Sequence, residues 1–364
     1  MALTLKRMKD KTREAFLALV QAGLWEKDVT LSEYGNIDYK QLLQLAEEQS
    51  VVGLVAAGLE HVVDTKIPQM DLLQFIGRTL QIEEQNKAMN SFLGSLVKDM
   101  RKVGIYVILV KGQGVAQCYE RPLWRASGDV DFLLSEDNYK KTKDFLLPLS
   151  FDHKSEGKYS KHLGLSVESW HVELQGSLRT SLSSRIDRVI DEVQKDVFYG
   201  GNVRSWTNNG VQIFLPGANN DVFFVFTHYL KHFYKEGMSL RQICDWCRLL
   251  WKYRDKIDDS LLEKRLYKAD LITEWKAFAA LAVDYLGIPI DAMPLYSDKS
   301  KWKKKANKII LFILNGYMSS RFINTLKVGR IFPIKTLEYL FGILFELNVL
   351  KINERLLKSL DWKE

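Results

Sequence analysis

The stretch from Ile105 to Leu134 (IYVILVKGQGVAQCYERPLWRASGDVDFLL) constrains this chain more than any other. It opens on an unbroken apolar run, Ile105 to Val110, whose length and β-branched content predict a buried strand. Lys111-Gly112-Gln113-Gly114 makes a glycine-spaced turn, Val115 to Tyr119 predicts a short helix, and Pro122 marks its end. Arg125 and a polar turn at Ser127-Gly128 then lead into a second apolar strand, which begins Asp129-Val130-Asp131-Phe132-Leu133-Leu134. Side chains alternate along a strand, so Asp129 and Asp131 are expected on one face. Two acids side by side repel each other unless a cation lies between them.

That arrangement suits phosphoryl or nucleotidyl transfer. Hard divalent ions such as Mg²⁺, or Mn²⁺ in its place, take oxygen ligands, which two carboxylates and substrate phosphates supply. A two-metal site of this kind clamps the attacking and leaving oxygens of an in-line displacement. A glycine turn ahead of a helix offers backbone N–H groups to phosphate. Lys111 and Arg125 would neutralise further phosphate charge, Arg125 in bidentate fashion. The plainer reading of Arg125 is a salt bridge to Asp129 that holds the loop.

The rest of the sequence frames this stretch. At 364 residues the chain is long enough for two or three domains, and we expect a helical N-terminal region over 1–100, a strand-containing core over 101–216 and a helical C-terminal region over 217–364. The net charge of +7 favours anionic partners such as nucleotides or nucleic acid, or serves solubility alone. Cys118, Cys244 and Cys247 are odd in number and indicate no disulfide framework, so a reducing cytoplasm is the expected compartment. The N-terminus is too charged for a secretory signal, and the longest apolar run, Ile309 to Leu314, falls far short of the ~20 residues that span a bilayer.

Within the first region, the helical spacing runs through Phe16, Leu19, Val20, Gly23 and Leu24, and again through Leu42, Leu43, Leu45 and Ala46. Asp38 is expected to cap one helix and Pro68 to start the long run from Asp71 to Met100. In the middle region a helix is expected over Glu136 to Leu147, strands over Phe151 to Lys154 and Tyr159 to Ser166, and a helix over Ser183 to Val197. His171 to Leu174 alternates polar with apolar, so that as a strand it would present His171, Glu173 and Gln175 on one face, with Val172 and Leu174 toward the core. Val203 to Trp206, the turn Asn208-Asn209-Gly210, and Val211 to Leu215 give the clearest hairpin signal. The last region carries helical patterns over Phe223 to Phe233, Leu240 to Trp251, Asp258 to Leu266, Leu271 to Leu286, Ile309 to Met318 and Thr336 to Leu350. His228 and His232 stand at i and i+4, but Tyr229 and Leu230 follow the first histidine, so no HExxH motif is present. Cys244 and Cys247 match CxxC once only and read as packed cysteines, and Lys303 to Lys305 beside Trp302 reads as a solvated helix end.

Strand, Lys-Gly turn, short helix, Arg, then Asp-x-Asp on a second strand resembles the DNA polymerase β-like nucleotidyltransferase superfamily. More narrowly, Leu109-Val110-Lys111-Gly112, Arg125 and Asp129-Val130-Asp131-Phe132-Leu133 resemble a bacterial family of uncharacterised nucleotidyltransferases, over roughly Met89 to Leu250. The resemblance implies an α+β fold, with a polymerase β-like mixed sheet embedded between mainly helical N- and C-terminal regions. It implies transfer of an NMP group from an NTP to an acceptor hydroxyl with release of pyrophosphate, the acceptor being a small molecule, sugar, RNA or protein. It implies Asp129 and Asp131 as metal ligands, with Glu173 as the third metal-site carboxylate of a later strand. Phosphate binding falls to Lys111, Gly112, Gln113, Gly114 and Arg125, and His171, His228, His232, Arg241 and Asp245 form a polar cluster near the nucleotide. The chain departs from the superfamily in carrying Gln113 where a small residue is usual and Glu rather than Asp as the third acid. Those departures keep a second reading open: a catalytically silent nucleotide- or RNA-binding regulatory protein on the same fold.

Overall fold

The computed structural model describes residues 2–153, 161–235, 237–315, 324 and 327–340. The chain begins with three helices, α1 (Ala2–Trp25), α2 (Tyr39–Glu48) and α3 (Val52–Glu60). Asp38 caps α2 as expected, accepting a hydrogen bond from the Gln41 N–H. Helices α1 and α3 touch backbone to backbone because glycines stand at the crossing: a Cβ on Gly58 would lie 2.1 Å from the Leu19 carbonyl oxygen. A Cβ on Gly23 would lie 1.9 Å from that of Leu54. Pro68 immediately precedes the 34-residue helix α4 (Gln69–Lys102).

Seven strands form one mixed sheet among the described residues, in the order β3 (Ser150–His153), β4 (His162–Val167), β5 (Trp170–Gln175), β2 (Val130–Leu133), β1 (Ile108–Val110), β7 (Val211–Pro216), β6 (Val203–Asn208). Strand β1 runs antiparallel to β2 and parallel to β7, while β2 runs parallel to β5. One face of the sheet buries Leu109, Val130, Phe132, Val172 and Leu174 against the second half of α4, where Met89, Leu93, Val97 and Met100 lie. Helix α6 (Glu136–Leu146) and the β6–β7 hairpin complete that side, and the Asn209-Gly210 turn closes the hairpin with φ of 49° and 79°.

Two elements differ from the sequence expectation. The apolar run from Ile105 enters the ladder only at Ile108, because Gly104 (φ 72°) ends α4 and the Ile105 N–H bonds back to the Met100 carbonyl. Ile105 and Val107 are buried nonetheless, as core rather than strand. The following helix α5 spans Gly112–Ala116, three residues earlier than the pattern suggested, because positive φ at Lys111 and Gly112 completes the reversal within two residues.

Helix α7 (Ser184–Tyr199) precedes the hairpin, and α8 (Ala218–Lys235), α9 (Leu240–Lys252), α10 (Asp259–Ala269), α11 (Ile272–Leu286) and α12 (Ser300–Leu314) follow it. Gly287 in the left-handed conformation stops α11, and residues 333–340 are helical. The remainder of the segment Thr336 to Leu350, and the end of Ile309 to Met318, lie outside the described residues. Phe226, Trp246, Trp275 and Phe278 centre the C-terminal helices, and the same core takes in Phe16, Leu19 and Val55 from the first region. Trp25 Nε1 donates to the Leu286 carbonyl at 2.6 Å and its ring lies 5.8 Å from Trp251. A mixed sheet held between helical regions is therefore the observed α+β fold. No helix among the described residues is long and apolar enough to cross a membrane.

Candidate active site

Parallel pairing of β2 with β5 sets Asp131 directly opposite Glu173. Alternation decides which way they point: Val172 and Leu174 are fully buried in the core beneath the sheet, so His171, Glu173 and Gln175 stand on the other face, as the sequence parity required. Lys111 follows the end of β1, where Val110 pairs with Asp131, and its Nζ donates to Asp131 Oδ1 at 2.7 Å. Gln175 Nε2 bridges the acids, donating to Asp131 Oδ1 at 2.7 Å and to Glu173 Oε2 at 3.1 Å. Glu173 is flanked by two imidazoles, His162 Nε2 at 3.1 Å from Oε2 and His171 Nε2 at 3.8 Å from Oε1.

The two carboxyls are driven apart in acidity. Burial raises Asp131, the Lys111 ammonium pulls it back, and the charge of Glu173 pushes it up again, for a net rise. Burial also acts to raise Glu173, but the His162 hydrogen bond and the Lys111 charge outweigh it and hold Glu173 well below the usual carboxylate range. The two carboxyls therefore titrate as a coupled pair, Asp131 taking up a proton before Glu173 as pH falls.

Asp129 precedes β2 and is exposed, outside this constellation. Among the described residues no group of three or more His, Cys, Asp or Glu is arranged to hold a metal ion. Of the three expected ligands, the fold brings together Asp131 and Glu173.

The glycine turn divides in function. Lys111 adopts φ 59° and ψ −149°, a conformation costly for an L-residue by about 1–3 kcal/mol, and in doing so aims its ammonium at Asp131. Gly112 leaves room for the Asp129 carbonyl, 3.3 Å from where a Cβ would stand. The Gln113 side chain points elsewhere: buried, it donates to Asn86 Oδ1 on α4 at 2.8 Å, and Asn86 in turn donates to the Leu123 and Arg125 carbonyls. Gly114 is a packing glycine, since a Cβ there would lie 2.7 Å from the Leu215 side chain of β7.

Arg125 does not form the salt bridge to Asp129 that the plainer sequence reading expected. Its Nε and Nη2 hold both oxygens of Asp245 on α9, each at 2.7 Å, and Tyr119 donates to the same carboxylate at 2.8 Å. Arg241, one turn before Asp245 on α9, donates to the Ala126 carbonyl at 2.7 Å. On α8, His228 and His232 approach Nε2 to Nε2 at 3.1 Å. Burial holds His228 well below its ordinary range, and the charges of Lys111, His232, Lys231 and Arg241 add to this, which keeps it neutral at pH 7 and places α8 beside the turn. Cys118, Cys244 and Cys247 are free and buried, and burial pushes their thiols up, so the CxxC spacing reports packing.

Sequence reasoning placed Gln175 on the site face without giving it a role, and missed His162. Only the β4–β5 register, which puts His162 opposite Gln175, brings that histidine to Glu173. No spacing within the chain announces it.

No curated protein matches the chain. Among solved structures, it is similar to an antigenic nucleotidyltransferase-like protein from Paracoccidioides brasiliensis, at 13% identity over 51% of this chain and 87% of that one, with a TM-score of 0.32. The profile of a family described as uncharacterised nucleotidyltransferase matches residues 35–287, well over half of the chain and wider at both ends than the stretch from Met89 to Leu250 that carries the motifs. This chain belongs to that family of uncharacterised nucleotidyltransferases.

Proposed function

We propose that the protein moves an NMP group from an NTP to an acceptor hydroxyl, releasing pyrophosphate, on the face of the sheet formed by β2 and β5. The observation that carries this reading is Asp131 level with Glu173 on neighbouring parallel strands, beside Lys111 at the turn. A buried and a half-buried carboxylate against one ammonium, which Lys111 seats on Asp131, retain a negative charge suited to a divalent cation. Mg²⁺ or Mn²⁺ held by one or two carboxylates plus substrate phosphate oxygens matches that donor set, with Asp129 at the rim as the outer carboxylate. When bound, such an ion would supply charge neutralisation at the reacting phosphate and would lower the pKa of the attacking hydroxyl.

The chain's own groups do the rest. Gln175 Nε2 spans both acids and fixes their orientation. Glu173, kept ionised by His162 and Lys111, is the carboxylate that accepts the acceptor's proton. Lys111 exchanges Asp131 for a phosphate oxygen as the triphosphate enters, and Gly112 permits close backbone approach. The buried free thiols suit a reducing cytoplasm.

A second reading, nucleotide or RNA binding without turnover, is favoured by the Lys111 ammonium seated on Asp131 and by Asp129 standing outside the constellation. One experiment separates the two. The purified protein is incubated with each labelled NTP, Mg²⁺ or Mn²⁺ and cell extract, and pyrophosphate and labelled acceptors are measured. Metal-dependent release that Asp131→Asn abolishes supports transfer, whereas nucleotide binding without release from any NTP supports the silent reading.

A further inference from the structure

Arg125 and Arg241 both lie beside Asp245, and only one of them has an anion. Arg125 occupies both Asp245 oxygens, and Tyr119 adds a third hydrogen bond to that carboxylate. Arg241, one turn earlier on α9, has Nη1 on the Ala126 carbonyl at 2.7 Å, while its Nε is buried with no hydrogen-bond partner and it forms no ion pair among the described residues. The charged groups that reach it are Arg125, which repels it, and Asp245 and Asp129, which attract it. A half-buried guanidinium whose Nε is sealed from solvent without a partner, beside a carboxylate already committed to Arg125, is costly in the resting protein, and a bound anion offsets that cost. The location fits an anion of the substrate. Arg241 holds Ala126, three residues before Asp129, whose carbonyl lies 3.3 Å from where a Cβ on Gly112 would stand, and α5 of the glycine turn packs on α9, so Arg241 reaches the loop that borders the turn.

We propose that Arg241 receives the terminal phosphates of the triphosphate, the role the sequence pattern gave to Arg125, while Arg125 and Asp245 act as a positioning pair that fixes the loop from Ala126 to Gly128. This rests on the reading of the β2–β5 face as a nucleotide site, and the test therefore uses an anion alone. Inorganic tripolyphosphate is titrated calorimetrically into the full chain at low ionic strength without divalent ions. Binding by the wild type is expected, weakened at least tenfold in Arg241→Gln and partly restored in Arg241→Lys, with the melting temperature of Arg241→Gln unchanged or raised because an uncompensated charge has been removed. Equal affinity in wild type and Arg241→Gln, or no binding by the wild type, overturns the assignment. So does a lowered melting temperature with unaltered affinity, which would make Arg241 a prop for the Ala126 carbonyl only. Loss of tripolyphosphate binding in Arg241→Gln, together with no pyrophosphate release from any NTP by the wild type, keeps the subsite and rejects transfer. Release by the wild type with tripolyphosphate affinity untouched in Arg241→Gln rejects the subsite alone.

Discussion

Asp131 is held between an ammonium, an amide and a second carboxylate, and each neighbour makes a different demand on its charge. Replacing it with Asn keeps the shape and the Gln175 contact while removing the charge. We expect pyrophosphate release to fall by about a thousandfold, the loss of several kcal/mol of transition-state charge stabilisation, with the circular dichroism spectrum unchanged. Gln175→Leu leaves both acids in place but unbridged, and a loss of about 10–100-fold in release with an unaltered fold is the expected outcome. Arg125 differs in kind. Its partner Asp245 is buried and otherwise held only by Tyr119, so Arg125→Met strands a carboxylate in the interior. Urea denaturation should report a loss of about 3–5 kcal/mol, the cost of breaking a buried pair from one side.

At the scale of elements, the close crossing of α1 and α3 depends on the absence of two side chains. Gly58→Ala places a methyl 2.1 Å from a backbone carbonyl oxygen, where no rotamer change relieves it, so the helices must separate. A loss of about 2 kcal/mol or more is expected in equilibrium unfolding, with Gly23→Ala similar. Elements of this kind also show what the sequence discloses. Helices α2 and α4, the β6–β7 hairpin and the inward parity of β5 were legible, because capping residues, turn glycines and apolar periodicity act locally. The start of β1 was not, since the turn that ends α4 consumes residues whose composition alone reads as strand. Asp131 and Glu173 were legible as acids on a polar face. Their pairing in register, the arrival of His162 and the pairing of Arg125 with Asp245 were not. Each is settled by contacts between residues 11 to 120 positions apart in the chain, on which local pattern is silent.

For the molecule as a whole, Glu274 links stability to pH. It is fully buried on α11, with Oε1 accepting from Tyr234 at 3.3 Å and Tyr339 at 3.1 Å while Oε2 has no partner. Burial pushes its carboxyl up to about 7 from 4.5, Lys335 opposing. The folded state therefore binds a proton that the unfolded state releases, and stability is fully present below about pH 4.5 and declines as pH rises toward 7. Glu274→Gln should flatten this slope and raise stability above pH 7 by about 3 kcal/mol, as thermal melts across the range would record. Helix α4 carries a further consequence. Its first half seats Phe75 among the helical regions and its second half seats Met89 to Met100 under the sheet, along a rod of about 50 Å. One residue inserted between Phe75 and Met89 would turn the two halves against each other by about 100°. The protein could then satisfy one core or the other but not both, and thermal unfolding of the insertion variant should show two separate transitions where the wild type is expected to show one.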